Sequence, residues 1–413
     1  MAEKILARHS GREKVNVGEY IWAKIDVTSP GNNLGALMEL KETGIKKAFD
    51  PEKIFVVYPN TLLPSSLEAS EQVNSLRKLV KEYGMKWFEY GRHCIFHQVF
   101  AENGFCVPGD LVAMEDSHTT NYGAFNVAAC PIYVECTYVM ATGKLWFKVP
   151  ESIKFWLTGK LPELCMGKDV ILKILGTWGS DVSMYKSAEF LGPLASNLSI
   201  SSRWSIATMG VEIGAKFALF EADQKTFNFL KGRTNRPYNP VKSDSDAEYV
   251  EEHIVDVADL EPLVACPHDP SNVKPITQVE KDEVKVHQAF IGSCVNGRQE
   301  DLEIAAKILE GNKIHPDVRM IISPASPEVW KDALNAGWMD IFLDAEAIIS
   351  PPTCGPCFGF EGILAAGETC ISSSCRNFRG RLGSPESKIF LANPATVAAC
   401  AIAGKIVDPR KYI

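Results

Sequence analysis

The chain has 413 residues, 46% of them hydrophobic and 23% charged, and a formal net charge of -8. That length exceeds one ordinary core and predicts two or three domains of about 100 to 200 residues in a globular protein. The acidic balance, with basic residues scattered among acidic ones, argues against nucleic acid as a partner. No run of about 18 apolar residues is present, and the start, Met1 to Arg8, lacks a signal-peptide core, so a cytoplasmic protein without a membrane partner is expected.

Lys53 to Tyr58 is a short β-rich run, and an amphipathic stretch from Leu67 to Tyr83 ends at Gly84. A strand at Lys86 to Tyr90, a helical segment near His97 and the run Asp110 to Asp116 follow, with His118 just past a strand end. Strands alternating with helices imply βαβ units, a parallel sheet and functional loops at the carboxyl ends of strands. Between Lys148 and Val284 the pattern changes. Helical stretches are expected near Asp169 to Leu175 and Met184 to Leu191, and a polar excursion rich in Asn, Pro, Ser and Asp over Lys231 to Glu251. The alternation returns after Val286: strand 286–292, helix 299–310, strand 318–323, helix 326–336, strands near 345 and 388, and a final helix 394–404.

Twelve cysteines are present. A chain without a leader keeps them reduced, so thiols, metal sites or small buried hydrophobes are the expected readings. Cys106, Cys130, Cys136, Cys165, Cys266, Cys370 and Cys400 lack ligand spacing and read as packing residues. Cys354 and Cys357, in Pro-Pro-Thr-Cys-Gly-Pro-Cys-Phe-Gly, form a C-x-x-C that alone fits a redox pair, a zinc half-site or two cluster ligands. A redox motif belongs near the start of a small βαβ domain, and zinc needs a second matching pair that the sequence lacks. Cys294, in Ile-Gly-Ser-Cys-Val-Asn-Gly-Arg at the end of a strand, is the best third ligand. Three thiolates can hold three corners of an iron-sulfur cube and leave one iron open to a substrate.

Four motifs occur together and in order: Asp116-Ser-His-Thr119, Gly292-Ser-Cys-x-Asn-Gly-Arg298, Cys354-Gly-Pro-Cys357 and Arg376-Asn-Phe-x-Gly-Arg381. On these the chain resembles the aconitase superfamily, and within it the large subunits of the 3-isopropylmalate and homoaconitate dehydratases. The resemblance covers essentially the whole chain. It implies an α/β fold of three α/β/α domains (1–148, 149–284 and 285–413) around a central 4Fe-4S cluster held by Cys294, Cys354 and Cys357, without the swivel domain. It also implies a hydro-lyase that removes water from a hydroxy di- or tricarboxylate, working with a separate small subunit that supplies the swivel domain.

Dehydrating a hydroxyacid needs carboxylate anchors, an electrophile for the hydroxyl, and a base and an acid. Arg376 and Arg381, five residues apart in a glycine-containing loop, suit bidentate carboxylate binding. The resemblance makes both, with Ser117, substrate contacts. It places His97, Asp116, His118 and Glu212 around the open iron as catalytic groups. A carboxylate beside an imidazole raises its pKa and fixes its tautomer.

The chain also departs from the family. Pro59 and Asn60 stand where members carry an Asp-His pair, and neither side chain can give up a proton at neutral pH. Ser29-Pro-Gly-Asn32 replaces His-Asp-Gly-Thr, Cys375 and Thr208 replace asparagines near the cluster, and Cys130-Pro-Ile-Tyr133 replaces a glycine-rich segment. Cys375 could stay a neutral thiol, tune the cluster or ligate its fourth iron. These changes leave the substrate open between 3-isopropylmalate and another hydroxyacid such as homoaconitate or 2,3-dimethylmalate. They also leave open a cluster-binding chain without hydro-lyase activity.

Overall fold

A computed structural model describes residues 1–58, 63–64, 66–89 and 95–413, so Pro59 and Asn60 lie outside the described residues. The fold is α/β with predominantly parallel sheets. The chain divides into two compact units. One holds the described residues up to Leu157 together with Ser183–Ile254; the other holds Thr158–Val182 and Val255–Ile413. The division at 149 and 285 expected from the sequence falls differently on these units, because the chain crosses between them inside the middle segment.

In the first unit, Val27–Ser29, Leu111–Met114 and Ala128–Pro131 form a parallel sheet, and Ser152–Thr158, Ser187–Leu191 and Phe217–Phe220 pair in parallel in another. Met184 to Leu191, expected to be helical, therefore contains a strand. All but the last residue of Ser187–Leu191 is buried, so the strand is covered on both faces, with Ser187 and Glu189 among the buried side chains. The helix Leu67–Tyr83 has the expected bounds. Ser66 accepts from Ala69 N at its start, Gly84 closes it at φ 69°, and Val73, Leu76, Val80 and Tyr83 make its buried stripe. Tyr20–Lys24 and Lys144–Lys148 form an antiparallel ribbon that the sequence reading did not pick out.

The second unit is built on a seven-stranded sheet in the order Val273–Pro275, Leu263–Ala265, Lys388–Leu391, Thr369–Ser372, Gln288–Ile291, Arg319–Ile322, Ile348–Ile349. The last five run parallel. The helices Gln299–Leu309 and Pro394–Ala403 pack on it through Leu302, Ala305, Leu309, Val397 and Cys400. The seven cysteines read as packing residues are all buried, and none of the eleven described cysteines is in a disulfide.

Asp169 ties this unit together. It is fully buried and accepts from Leu263 N at 2.9 Å, Met166 N at 2.8 Å and Asn393 Nδ2 at 2.8 Å. Burial, only partly offset by these bonds, pushes its carboxyl up to about 6 from 3.8. The folded chain therefore takes up this proton at a higher pH than the unfolded chain, and the group's contribution to stability falls as pH rises from about 4 to about 6. Two pKa units correspond to about 3 kcal/mol. Denaturant unfolding of Asp169→Asn across this window should lack that fall, relative to wild type; an identical pH slope in the two proteins would refute it.

Candidate active site

In the first unit the strand Leu111–Met114 leads, after Glu115, into a turn that collects polar groups. Asp116 Oδ1 accepts from His118 N at 2.8 Å and lies 2.8 Å from His97 Nε2 and 3.7 Å from His118 Nδ1. His97, buried on the helix Phe96–Glu102, also places Nδ1 3.0 Å from the Tyr122 hydroxyl. His118 Nε2 lies 3.3 Å from Glu212 Oε1, and Ser117 Oγ is 3.4 Å from His118 Nδ1. The result is a cluster of polar groups, Tyr122, His97, Asp116, His118 and Glu212, gathered around Asp116 and the two imidazoles.

Its electrostatics follow from the contacts. The surrounding protein would raise the Asp116 carboxyl, but the charge of His97 and hydrogen bonds from both His118 and His97 hold it well below its usual range. Facing an ionised Asp116, His97 Nε2 is the protonated nitrogen, with Nδ1 against the Tyr122 hydroxyl. The scaffold beneath is rigid. Thr120 Oγ1 donates to Ala207 O at 2.9 Å, joining the turn Thr119–Phe125 to the helix Ile200–Thr208, whose following turn Met209–Ile213 carries Glu212. Gly123 packs so closely on the strand Phe217–Phe220 that a Cβ would stand 1.7 Å from Ala218 O.

The replaced segments also have local accounts. Ser29 Oγ accepts from Gly31 N at 3.0 Å, and the Thr208 hydroxyl donates to Trp204 O at 2.7 Å. Each hydroxyl is engaged by its own backbone.

In the second unit the cysteines stand at the carboxyl ends of the parallel strands. Cys294 follows Gln288–Ile291, Cys354 and Cys357 flank the start of the short helix Gly355–Phe358 beyond Ile348–Ile349, and Cys375 follows Thr369–Ser372. Hydrogen bonds lace these loops together. Gly292 N donates to Ser373 Oγ at 3.1 Å, Ala325 N to Gly297 O at 2.8 Å, Ser323 Oγ to Pro351 O at 3.1 Å and Thr353 N to Ser323 Oγ at 3.4 Å. Gly297 has φ 122°, in the region that favours glycine, and a Cβ there would stand 3.0 Å from Ser323 O and from Gly292 Cα.

Cations surround the loop backbone. Arg298 donates to Cys294 O at 3.1 Å and to Val295 O, and Asp301 accepts from Gly297 N and Arg298 N at 2.8 and 2.9 Å. Arg381 donates Nε to Cys357 O at 3.1 Å, with its guanidinium 4.3 Å from the centre of the Phe358 ring. Lys168, fully buried, donates to Ser374 O and, at 3.3 Å, to Ser373 O, just before Cys375 and Arg376. Arg376 is half-buried. Asn377 Nδ2 donates to Cys266 O at 2.7 Å and anchors the same loop.

Cys357 and Cys375 are in hydrogen-bond contact. That bond first, then burial and the neighbouring Cys375 charge, push the Cys357 thiol well above its usual range, against the pull of Arg381. A thiol-rich, largely buried set with cations on the adjacent carbonyls fits a soft metal centre, which would take these sulfurs as thiolates, and does not fit a hard oxygen-seeking cation.

The structure thus brings His97, Asp116, Ser117, His118 and Glu212 together in one unit. It sets Cys294, Cys354, Cys357, Arg376 and Arg381 on the strand-end loops of the other. Tyr122 and Lys168 escaped the sequence reading, and Arg298 entered it only as the end of a motif. Lys168 had one usable signal, a lysine in the first turn of an apolar helix, where the dipole disfavours it.

A model of the aconitase family (aconitate hydratase) matches residues 60–404. The chain is 45% identical to the 3-isopropylmalate dehydratase large subunit of Aquifex aeolicus, over 100% of this chain and 97% of the relative. It is 45% identical to that of Acetivibrio thermocellus, over 99% and 98%, and 43% identical to large subunit 1 of Methanopyrus kandleri, over 100% and 99%. Aconitase X of Thermococcus kodakaraensis, in its holo form, shares the fold at a TM-score of 0.51 with 12% identity, covering 86% of this chain and 84% of that one.

Replacing Lys168 by Met should deprive two buried carbonyls of their donor and lower the unfolding free energy by about 2 kcal/mol. Urea denaturation measures it, and a change below about 0.5 kcal/mol would show that the lysine does not anchor the loop.

Proposed function

The chain belongs to the aconitase family, and we propose that it is the large subunit of a hydro-lyase that dehydrates and rehydrates a small hydroxy-dicarboxylate of the 3-isopropylmalate type. The strongest support is the cysteine set: Cys294, Cys354 and Cys357 on strand-end loops that hydrogen bonds hold together. These three would hold a 4Fe-4S cluster, and the cluster, when bound, would supply a Lewis-acid iron for the departing hydroxyl.

The chain's other residues then have separable tasks. Arg376 and Arg381 would anchor substrate carboxylates, and the stack of Arg381 on Phe358 with its bond to Cys357 O fixes the plane of that guanidinium. Asp116, held ionised, would keep His97 in one tautomer and leave His118, between Asp116 and Glu212, to give and take the proton at Nε2. Ser117, beside His118 Nδ1, would contact substrate. A separate small subunit would complete the site, in keeping with the large-subunit names of the relatives.

A second reading, a cluster-binding chain without turnover, draws on one observation: Cys375, fully buried, touches Cys357 and could occupy the fourth iron. The substrate range also extends to homoaconitate and 2,3-dimethylmalate, since a hydrophobic pocket separates neighbouring homologues by only about 1 to 3 kcal/mol.

The deciding experiment is anaerobic reconstitution of the chain co-expressed with a small subunit, followed by assay of hydration and dehydration on these hydroxyacids. Turnover of 3-isopropylmalate is expected, and Arg381→Lys should retain the cluster absorbance while lowering kcat/KM by about 100-fold or more. A fully loaded complex that turns over none of them would refute the hydro-lyase reading. An unimpaired Arg381→Lys would remove that arginine from the site.

A further inference from the structure

From Ile371 to Asn377 every residue is buried except Arg376. That arginine is the one side chain this stretch sends outward, and the backbone is held on both sides of it. After it, Asn377 Nδ2 donates to Cys266 O at 2.7 Å and to Asp269 O at 3.3 Å. Before it, Ser373 N donates to Phe290 O at 2.9 Å and Ser374 N to Ser372 Oγ at 3.1 Å, while Lys168 Nζ donates to Ser373 O at 3.3 Å and to Ser374 O. Peptide planes are rigid, so holding the Ser374 carbonyl also orients the Cys375 amide, one residue from Arg376.

Local preference does not account for a lysine in this role. Lys168 is fully buried in the first turn of the helix Gly167–Trp178, where the helix dipole disfavours a cation. Taking an ammonium out of water is costly as well, and a methionine would fill similar space without that cost. A methionine has no donor, whereas the ammonium has three and serves two carbonyls at once. The base from which Lys168 reaches is fixed. Asp169, next in the chain, accepts from Leu263 N, Met166 N and Asn393 Nδ2 and so pins the start of the helix to the frame of this unit.

We propose that Lys168 is a positioning residue for the hydro-lyase reaction. It acts through Arg376, holding the Ser373–Ser374 segment so that the guanidinium meets a carboxylate of the hydroxy-dicarboxylate without reorganising. This rests on the reading of Arg376 as a substrate anchor. A guanidinium–carboxylate pair is demanding in orientation, so a loop free to shift loses affinity for the dicarboxylate while the proton-transfer groups stay in place. The signature is a raised KM with kcat nearly kept.

Calorimetric titration of the anaerobically reconstituted complex with 2-isopropylsuccinate, a dicarboxylate with no hydroxyl to lose, tests this. Lys168→Met should raise its Kd, and the KM for 3-isopropylmalate, about 10-fold, with kcat within about three-fold of wild type. Arg376→Ala should raise the Kd about 100-fold, and adding Lys168→Met to it should change the Kd by less than about two-fold, because the two residues act as one unit. Val397→Ala, a core truncation on the helix Pro394–Ala403, controls for lost stability and should leave the Kd unchanged. A wild-type Kd in Lys168→Met, full multiplication of the two losses, or equal weakening in Val397→Ala would overturn the proposal. So would a wild-type complex that binds no dicarboxylate. The expected binding cycle in a complex without turnover would sink the hydro-lyase reading and leave the positioning role standing; turnover with an unaffected Lys168→Met would do the reverse.

Discussion

The parallel strands of the second unit end on one level, and everything proposed for the site depends on the loops that leave them being fixed to one another. Cysteine side chains are short, so three of them can share one centre only if their backbones are already in place. Ser323 links its neighbours through Pro351 and Thr353, Ser373 holds Gly292, and Gly297 O accepts from Ala325 N. These are ordinary hydrogen bonds of about 1 kcal/mol each. Their importance is positional, because they turn four separate loops into one platform.

Charge is arranged around that platform with the same economy. Arg298, Arg381 and Lys168 all donate to main-chain carbonyls of the loops that carry Cys294, Cys357 and Cys375. A set of thiolates would carry several negative charges into a largely buried place, and these cations lie where they would offset them. In the first unit the order is inverted. There a single carboxylate, Asp116, is surrounded by imidazoles and stays ionised, so that His97 and His118 are both oriented by one group.

Much of this was legible in the sequence because the elements with strong local signals kept them. Leu67–Tyr83 has its Ser66 cap, its apolar stripe and Gly84, and Gln299–Leu309 follows a loop whose Gly and Asn mark the strand end. The motif residues were found because their spacing is local. What was not legible depends on burial from several directions. Ser187–Leu191 is covered on both faces and reads as helix or strand alike, and Thr369–Ser372 is four fully buried residues without alternation. Tyr122 joins the histidine chain by a contact across 25 positions, and nothing in Thr-Thr-Asn-Tyr announces it. The polar excursion from Lys231 to Glu251 was readable as such because it lacks any periodic pattern, and it carries no helix or strand until Glu251 opens one.

The positions read from the sequence as departures are settled by short-range contacts. Ser29 and Thr208 spend their hydroxyls on nearby backbone, whereas Cys375 adds a thiol against Cys357. The proposed open iron therefore hinges on whether Cys375 stays a thiol beside the centre or becomes part of it. Mössbauer spectroscopy of the anaerobically reconstituted chain, with and without hydroxyacid, tests this most directly. The account predicts a 4Fe-4S cluster with one iron distinct from the other three, whose signal shifts when a hydroxy-dicarboxylate is added and which is lost in Cys354→Ser. Four equivalent irons that ignore the hydroxyacid, or no bound iron at all, would contradict it.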